Sequence, residues 1–544
     1  MNLRRLFGLL CGLLLAVAAQ AAGPALVVVL VIDGLPQEQV VKYRDLYGKG
    51  GFQRLLEDGA WYGNAHHGHA VTLTGPGHAT ILSGTYPYRH GIIANEWTDR
   101  NTLGPVYCTG DPAHSYIGAE TRKLDGTSPA NLRVSTVGDE LKYANNDQSR
   151  VVAVSGKDRG AILLAGKRGT AYMYMDKSGR FASSTYYMKE HPAWHAQYYA
   201  GKPQDKWMGQ GWTPLLPEAA YARSIVEGQP WHPRNFAGMG ARFPFQLPGA
   251  DRPAAYYPAL MRTPYGDEAT LDFARAAIEG ENLGRNPAGV PDLLGLSLST
   301  HDYVNHGYGP ESRVSQDHLL RVDRALAAFF DYLDDRIGLD RVVIALTADH
   351  GFMNAPEYSA AIGLSGARMN SPRLMTELNA ALSARFNVKG NLAPRFSYPT
   401  IILDQQLIEK SALNRTEVET AAQRFLAGFP GVAEVFTRTQ LEQGLLPAGP
   451  RATQVLRAWN RELSGDLYVV SQAFSLYGSN VATHGSPYTY DTNVPLMLYG
   501  RTWIKAGKFA REASVADLAP TLSYLLDIRP PSASEGRVLE EALR

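Results

Sequence analysis

The chain has 544 residues, 45% of them hydrophobic and 19% charged, with 53 Lys and Arg against 52 Asp and Glu. A formal charge of +1 without a like-charge run excludes a dedicated nucleic-acid binder. The 53 Gly and 33 Pro, scattered among apolar segments, exclude a coiled coil or a disordered chain, and leave either several small domains or one large α/β enzyme with insertions.

Residues 1–22, MNLRRLFGLLCGLLLAVAAQAA, place Arg4 and Arg5 before an apolar run that ends in small residues. This pattern predicts a secretory signal peptide over residues 1–21, cleaved after Ala21 or nearby. Losing Arg4 and Arg5 and no acidic residue takes the formal charge from +1 to −1. Cys11 follows Leu10 rather than a small residue, a poor match to a lipobox, and it leaves with the signal. Cys108 then has no partner for an internal disulfide. No other stretch is long and apolar enough to span a bilayer, so the expected product is periplasmic or secreted, with no stable membrane insertion.

In chain order, the apolar elements end in acids. Residues 25–32, ALVVVLVI, read as a strand buried on both faces, followed at once by Asp33-Gly34. Thr74 stands beside Gly75-Pro76-Gly77, and HATIL reads as the start of a helix. A strand over Val151–Val154 leads to Lys157 and Arg159. Residues 160–265 are rich in Tyr, Trp, Pro and Gly with little periodicity, which predicts a cap or large loop insertion. Leu293–Leu298 leads to Thr300-His301-Asp302. Leu319, Val322, Leu326, Phe329 and Leu333 recur at helical spacing, and Val342–Leu346 leads to Asp349-His350. A strand–helix–strand crossover implies a parallel sheet, and open α/β sheets bind ligands at the strands' carboxyl ends. Residues 366–478 carry their own helices (Arg373–Phe386, Thr416–Phe429) and strands (Ser397–Leu403, Asp466–Ser471), a small α+β insertion. His484 precedes a last apolar strand, Val494–Tyr499. The fold expected is therefore α/β, with a central mostly parallel sheet flanked by helices and two insertions.

An Asp at a strand end is by itself commonly a cap or turn former. The combination says more. Asp302 and His306 are four apart and share a helix face, while Asp349 and His350 at a strand-to-loop turn can face one pocket. Carboxylates mixed with imidazoles, and no thiolate, suit catalytic Zn²⁺. Thr74 at a helix N-terminus faces free N–H groups, which bind phosphate and favour an alkoxide, although a Thr there also serves as a plain cap. For Lys157 and Arg159 the structural alternative is a solvated turn.

The motifs VIDG, TGPGHATILSG, HGIIANEW, SGKDRG, STHDYVNHGYG, TADHGF and THGSPY, in this order and with a terminal VADLAPTLSYLLDI helix, resemble the alkaline phosphatase superfamily. The nearest likeness is its PafA-like branch of secreted, threonine-dependent phosphomonoesterases. The resemblance implies two zinc ions, one held by Asp302, His306 and His484 and the other by Asp33, Asp349 and His350, with Thr74 as nucleophile on the second. It further implies that Asn95, Lys157 and Arg159 bind the transferred phosphoryl group. The Cys or Ser of a sulfatase is replaced by Thr74, and no acidic set for a third, magnesium ion is expected. His66, His67 and His69 lie just before the nucleophile motif and are not among the family's ligands. His78 and His90 are expected to be structural, and Phe352 and Tyr303 to pack beside the metals.

Charge separates the two nearest activities. Two zinc ions balance the three aspartates and a Thr74 alkoxide, so Lys157 and Arg159 leave a positive excess that matches a dianionic monoester better than a monoanionic diester. The expected reaction is hydrolysis of small-molecule phosphate monoesters, through a phosphothreonine intermediate, by a monomer with no nucleic-acid partner. The alternatives are a nucleotide pyrophosphatase/phosphodiesterase on the same bimetal site and a non-catalytic zinc- or phosphate-binding protein.

Overall fold

The computed structural model describes residues 23–544, and the expected signal peptide lies outside the described residues. Nine strands form the main sheet: β1 (Leu26–Ile32), β2 (Ala60–Tyr62), β3 (Val151–Ser155), β4 (Thr170–Met175), β5 (Arg180–Ala182), β6 (Asp292–Leu298), β7 (Val342–Thr347), β8 (Leu496–Tyr499) and β9 (Gly507–Phe509). They are ordered β9-β2-β8-β7-β1-β6-β3-β4-β5. The central five, β7-β1-β6-β3-β4, run parallel, and β8 and β5 flank them antiparallel. All seven residues of β1 are fully buried, which explains why its sequence is continuously apolar rather than alternating.

Five helices position the site: α1 (Thr74–Ser83), α2 (Asp158–Ala165), α3 (Pro264–Glu281), α4 (Thr300–Tyr308) and α5 (Arg313–Arg336). The expected apolar stripe of α5, from Leu319 to Leu333, is buried against the sheet's core. Residues 366–478 have a four-stranded sheet and a hydrophobic cluster of their own. Leu374, Leu378 and Leu382 of helix Ser371–Phe386 pack there with Val418, Ala422 and Leu426 of helix Arg415–Ala427.

Three local expectations need correction. The run MYMYM, read as part of an irregular insertion from residue 160, forms β4 of the main sheet. Its Tyr and Met side chains are buried on both faces, so no alternation betrays a strand. Residues 397–403 are a hairpin rather than one strand: Arg395–Ser397 pairs antiparallel with Thr400–Ile402, with Pro399, which lacks an N–H for the ladder, in the turn. The strand Val432–Thr437 was not anticipated. Beyond β5 the chain carries helices Ala193–Ala200 and Pro253–Leu260 between irregular stretches. It is held by buried aromatics and by Asp317 of α5, whose carboxylate accepts the Trp212 indole N–H (2.7 Å) and the Leu215 amide (2.6 Å).

Candidate active site

Asp33, Asp302, Asp349 and His350 sit just past the carboxyl ends of β1, β6 and β7, so strand order alone gathers them. Gly34 makes the gathering compatible with sterics. Its φ is +72°, and a Cβ there would stand 3.2 Å from both Cα and Cβ of Asp302. Its N–H donates to Asp349 Oδ1 (3.1 Å), and its carbonyl accepts from Asn305 of α4 (3.0 Å), which ties the β1 turn to the other two acidic segments.

The ligating atoms fall into two overlapping groups. His306 Nε2 and His484 Nε2 each lie 3.4 Å from Asp302 Oδ1. His350 Nε2 lies 3.3 Å from Asp349 Oδ2 and 3.5 Å from Asp33 Oδ1. Each imidazole donates its Nδ1–H to a backbone carbonyl: His306 to Ala482 (3.0 Å), His484 to Thr72 (2.8 Å) and His350 to Gly351 (2.9 Å). That fixes the tautomer and leaves every Nε2 lone pair facing the cluster. The donors Asp302–His306–His484 and Asp33–Asp302–His350 each lie close enough together to hold one ion, with Asp302 within reach of both positions.

These residues fit divalent cations. Asp33 Oδ1, Asp302 Oδ1, Asp349 Oδ2 and His350 Nε2 are buried without a hydrogen-bond partner, and all four converge on the same space. Leaving such groups unsatisfied costs about 1–3 kcal/mol each. One ammonium, Lys157 Nζ, serves two of the three carboxylates, at 2.5 Å from Asp302 Oδ2 and 2.8 Å from Asp33 Oδ2. Burial, then the Asp349 carboxylate, push Asp33 well above the usual carboxylate range. Burial would raise Asp302 as well, but Lys157 and His306 hold it well below that range. Burial lowers His350 strongly and brings His306 down to about 4, so both imidazoles are neutral and able to ligate near neutral pH.

Thr74 opens α1 and is buried, and Arg159 Nη2 approaches its Oγ1 at 3.4 Å. Gly77 allows α1 to lie against the second acidic segment, since a Cβ there would meet Asp349 O at 2.0 Å. Asn95 Oδ1 accepts the Gly75 amide (2.7 Å), which orients its side-chain amide beside Thr74. Arg159 Nη1 donates to the Tyr107 hydroxyl (3.1 Å), and Tyr107 donates in turn to Asp158 Oδ1 (2.5 Å). Arg159 Nε is buried and unpartnered. The Nε–Nη2 edge of the guanidinium is thus the one left for an anion near Thr74.

The structure brings all the expected ligands, Thr74, Asn95, Lys157 and Arg159 into one site. His66, His67 and His69 bond instead to Thr492, the Ala348 carbonyl and Thr80, and none of the three belongs to either donor group. His78 bridges Ser297 Oγ (2.8 Å) and the Thr74 carbonyl (2.9 Å), its Nδ1 also lying 3.2 Å from Asp349 Oδ2, and His90 contacts Thr80 (3.3 Å). Phe352 packs edge-on against His306 and Tyr303 lies under Lys157. Sequence reasoning missed Tyr107 and Arg262. Both line the cavity that Lys157 and Arg159 also line, but neither lies in a motif that marks it.

A family model described as type I phosphodiesterase/nucleotide pyrophosphatase matches residues 27–395, and the chain belongs to that family, within the alkaline phosphatase superfamily. It is 33% identical to alkaline phosphatase PafA of Elizabethkingia meningoseptica over 525 residues, 96% of this chain and 94% of that protein. It is 34% identical, over 96% of this chain and 95% of the relative, to a Myroides odoratus protein named as a calcium-transporting ATPase. The crystal structure of wild-type PafA superposes with a TM-score of 0.89 at 32% identity, covering 96% of this chain and 100% of that one.

Proposed function

We propose that the protein is a metal-dependent phosphoric monoester hydrolase of the alkaline phosphatase type, with Thr74 as its nucleophile. The observation that carries this reading is the pair of buried carboxylate–imidazole donor groups together with the Thr74 hydroxyl, which Arg159 Nη2 approaches while its Nε stays unpartnered. In this reading Asp302, His306 and His484 hold one cation, and Asp33, Asp349 and His350 hold the other. A donor set of oxygens and imidazoles without thiolate favours zinc. When bound, the two cations would supply Lewis acidity that lowers the pKa of a hydroxyl and stabilises a leaving oxygen.

The protein's own groups do the rest. Thr74 gives up its proton to solvent and its Oγ1 attacks phosphorus in line. The Oγ1–P bond forms as the P–O bond to the leaving group breaks, giving phosphothreonine, and the departing alkoxide takes a proton from solvent to leave as the alcohol. Attack by water on that phosphorus releases inorganic phosphate and restores the Thr74 hydroxyl. Asn95 and Arg159 hold the non-bridging oxygens in the orientation for both attacks, and Lys157 adds a third positive or polar contact between the two ligand groups. The N-terminus of α1 adds its dipole at the same place.

A phosphodiesterase reading uses Thr74, Asn95 and the same six ligands, and the matched family's name includes that activity. Lys157 and Arg159 together favour the dianion. The test is kcat/KM of the zinc-loaded mature protein for p-nitrophenyl phosphate beside bis(p-nitrophenyl) phosphate, with a chelator control. A large monoester preference abolished by chelation is expected, and a diester preference would move the protein to the second reading. An apolar, Arg-preceded N-terminal stretch supports action outside the cytoplasm on small phosphate esters.

A further inference from the structure

Lys157 and Arg159 line a cavity of about 550 Å³ whose wall also carries Tyr107, Tyr116, Tyr174 and Tyr303. Its cations are not equivalent. Lys157 is engaged by Asp33 and Asp302, and Arg159 faces Thr74. At the rim Arg122 pairs with Asp176 (2.9 Å) and Lys177 with Glu120. Among the described residues neither Arg159 nor Arg262 has a carboxylate partner, but Arg159 donates to the Tyr107 and Thr74 hydroxyls, which leaves Arg262 as the one of the five without a side-chain hydrogen-bond or ion-pair partner. It is half-buried, its Nη1 donates to the Pro258 carbonyl (2.8 Å), and its guanidinium lies 5.0 Å from the Tyr303 ring centroid.

Lys157 Nζ is also 5.0 Å from that centroid, so Tyr303 links a cation beside the ligand cluster to one on the wall of the same cavity. Arg262 is pinned at one nitrogen and stacked on a ring, with its remaining N–H groups open to the cavity. A guanidinium fixed in this way loses little freedom when an anion binds it. Nothing in hydrolysis of a simple monoester uses that charge.

We propose that Arg262 is a second anion subsite, selecting phosphate monoesters whose leaving group bears a further anionic group, a carboxylate or a second phosphate. The proposal rests on the monoesterase reading and names its substrate class. Because the second anion is held alike before and during reaction, Arg262 binds it uniformly, and the preference falls on KM rather than kcat.

The experiment compares 3-carboxyphenyl phosphate with 3-carbamoylphenyl phosphate, and then 3-phosphonophenyl phosphate, on zinc-loaded wild-type protein, Arg262→Gln and Arg262→Lys. Dividing each variant's carboxylate-to-carboxamide quotient of kcat/KM by that of wild type cancels the substrates' intrinsic reactivities. The quotient is expected to drop about fivefold in Arg262→Gln, as for a partly exposed ion pair, and to be largely kept in Arg262→Lys. In wild type it shrinks with added salt. A larger drop with the phosphonate would point to a second phosphate, and a larger one with the carboxylate to an organic acid. An unchanged quotient in Arg262→Gln, or equal losses on charged and neutral substrates, overturns the proposal and leaves the monoesterase reading standing. No hydrolysis of any of the three by wild type overturns that reading, and the proposal with it.

Discussion

Replacing Arg159 by Ala is the sharpest probe of how this site reads charge. In the structure Nη1 is committed to the Tyr107 hydroxyl, whereas Nη2 reaches only Thr74 Oγ1, at 3.4 Å, and Nε is buried without a partner. Two donors are therefore available to a phosphoryl oxygen next to the nucleophile. A hydrogen bond to a charged group is worth about 1.5–3 kcal/mol, so two of them represent at least about 3 kcal/mol of transition-state stabilisation. At about 1.4 kcal/mol per tenfold, the variant should lose roughly 10²-fold in kcat/KM on p-nitrophenyl phosphate. On bis(p-nitrophenyl) phosphate one of those oxygens carries an aryl group and the net charge is lower, and the loss should stay within about tenfold. Steady-state kinetics of both substrates on zinc-loaded wild type and Arg159→Ala measure the two losses directly. Equal losses would refute the charge-matching explanation and leave Arg159 as a packing residue held by Tyr107 and Asp158.

Thr74→Ala should remove about 10²-fold or more of the turnover while metal content, read by atomic absorption, stays close to wild type, because Thr74 is not needed to assemble the six carboxylate and imidazole donors. Metal chelation should lower the melting temperature by several degrees, since it exposes four unsatisfied buried atoms to one another, and a melting curve unmoved by chelator would contradict the metal assignment. Away from the site, burial raises the Glu311 carboxyl to about 7. Its folded pKa lies above the unfolded value, so its contribution is fully present below the unfolded pKa and is lost as pH rises through about 7, to the extent of roughly 3 kcal/mol. Glu311→Gln, which can still accept from the Ala355 amide, should therefore show a smaller drop in melting temperature between pH 5 and pH 8 than wild type.

The central sheet was legible because a strand buried on both faces leaves a continuous apolar run, and β1, β6 and β7 each show one ending in polar ligating residues. β4 was not, for the same physical reason applied to other side chains: Tyr and Met fill both faces, and a run of aromatics reads equally well as a cap. The hairpin at residues 395–402 hid in the sequence because β-branched and aromatic residues continue across Pro399, and only the missing N–H of the proline marks the break. The irregular segment after β5 has no periodicity to read. Its order comes from Asp317, far away in sequence on α5, and long-range hydrogen bonds of that sort leave no local pattern.

The same division runs through the site. The ligands were readable because cation binding demands specific donor atoms at strand ends, a chemical constraint that survives in the sequence as Asp and His at fixed places. What makes those donors usable was not readable. The Nδ1 of each imidazole is fixed by a carbonyl from a distant segment, Thr72 for His484 and Ala482 for His306, and any residue can supply a carbonyl. Tyr107 escaped notice on the same principle, since it acts by occupying one face of Arg159 and so deciding which N–H groups remain for substrate. Arg262 goes one step further: its significance lies in the partners it lacks. Four cations of the cavity have a side-chain hydrogen-bond or ion-pair partner, whereas Arg262 bonds only a backbone carbonyl, and that accounting singles out the fifth. Groups that perform the chemistry are thus written in residue identity, whereas groups that choose the substrate are written in which of their bonds the fold leaves unmade.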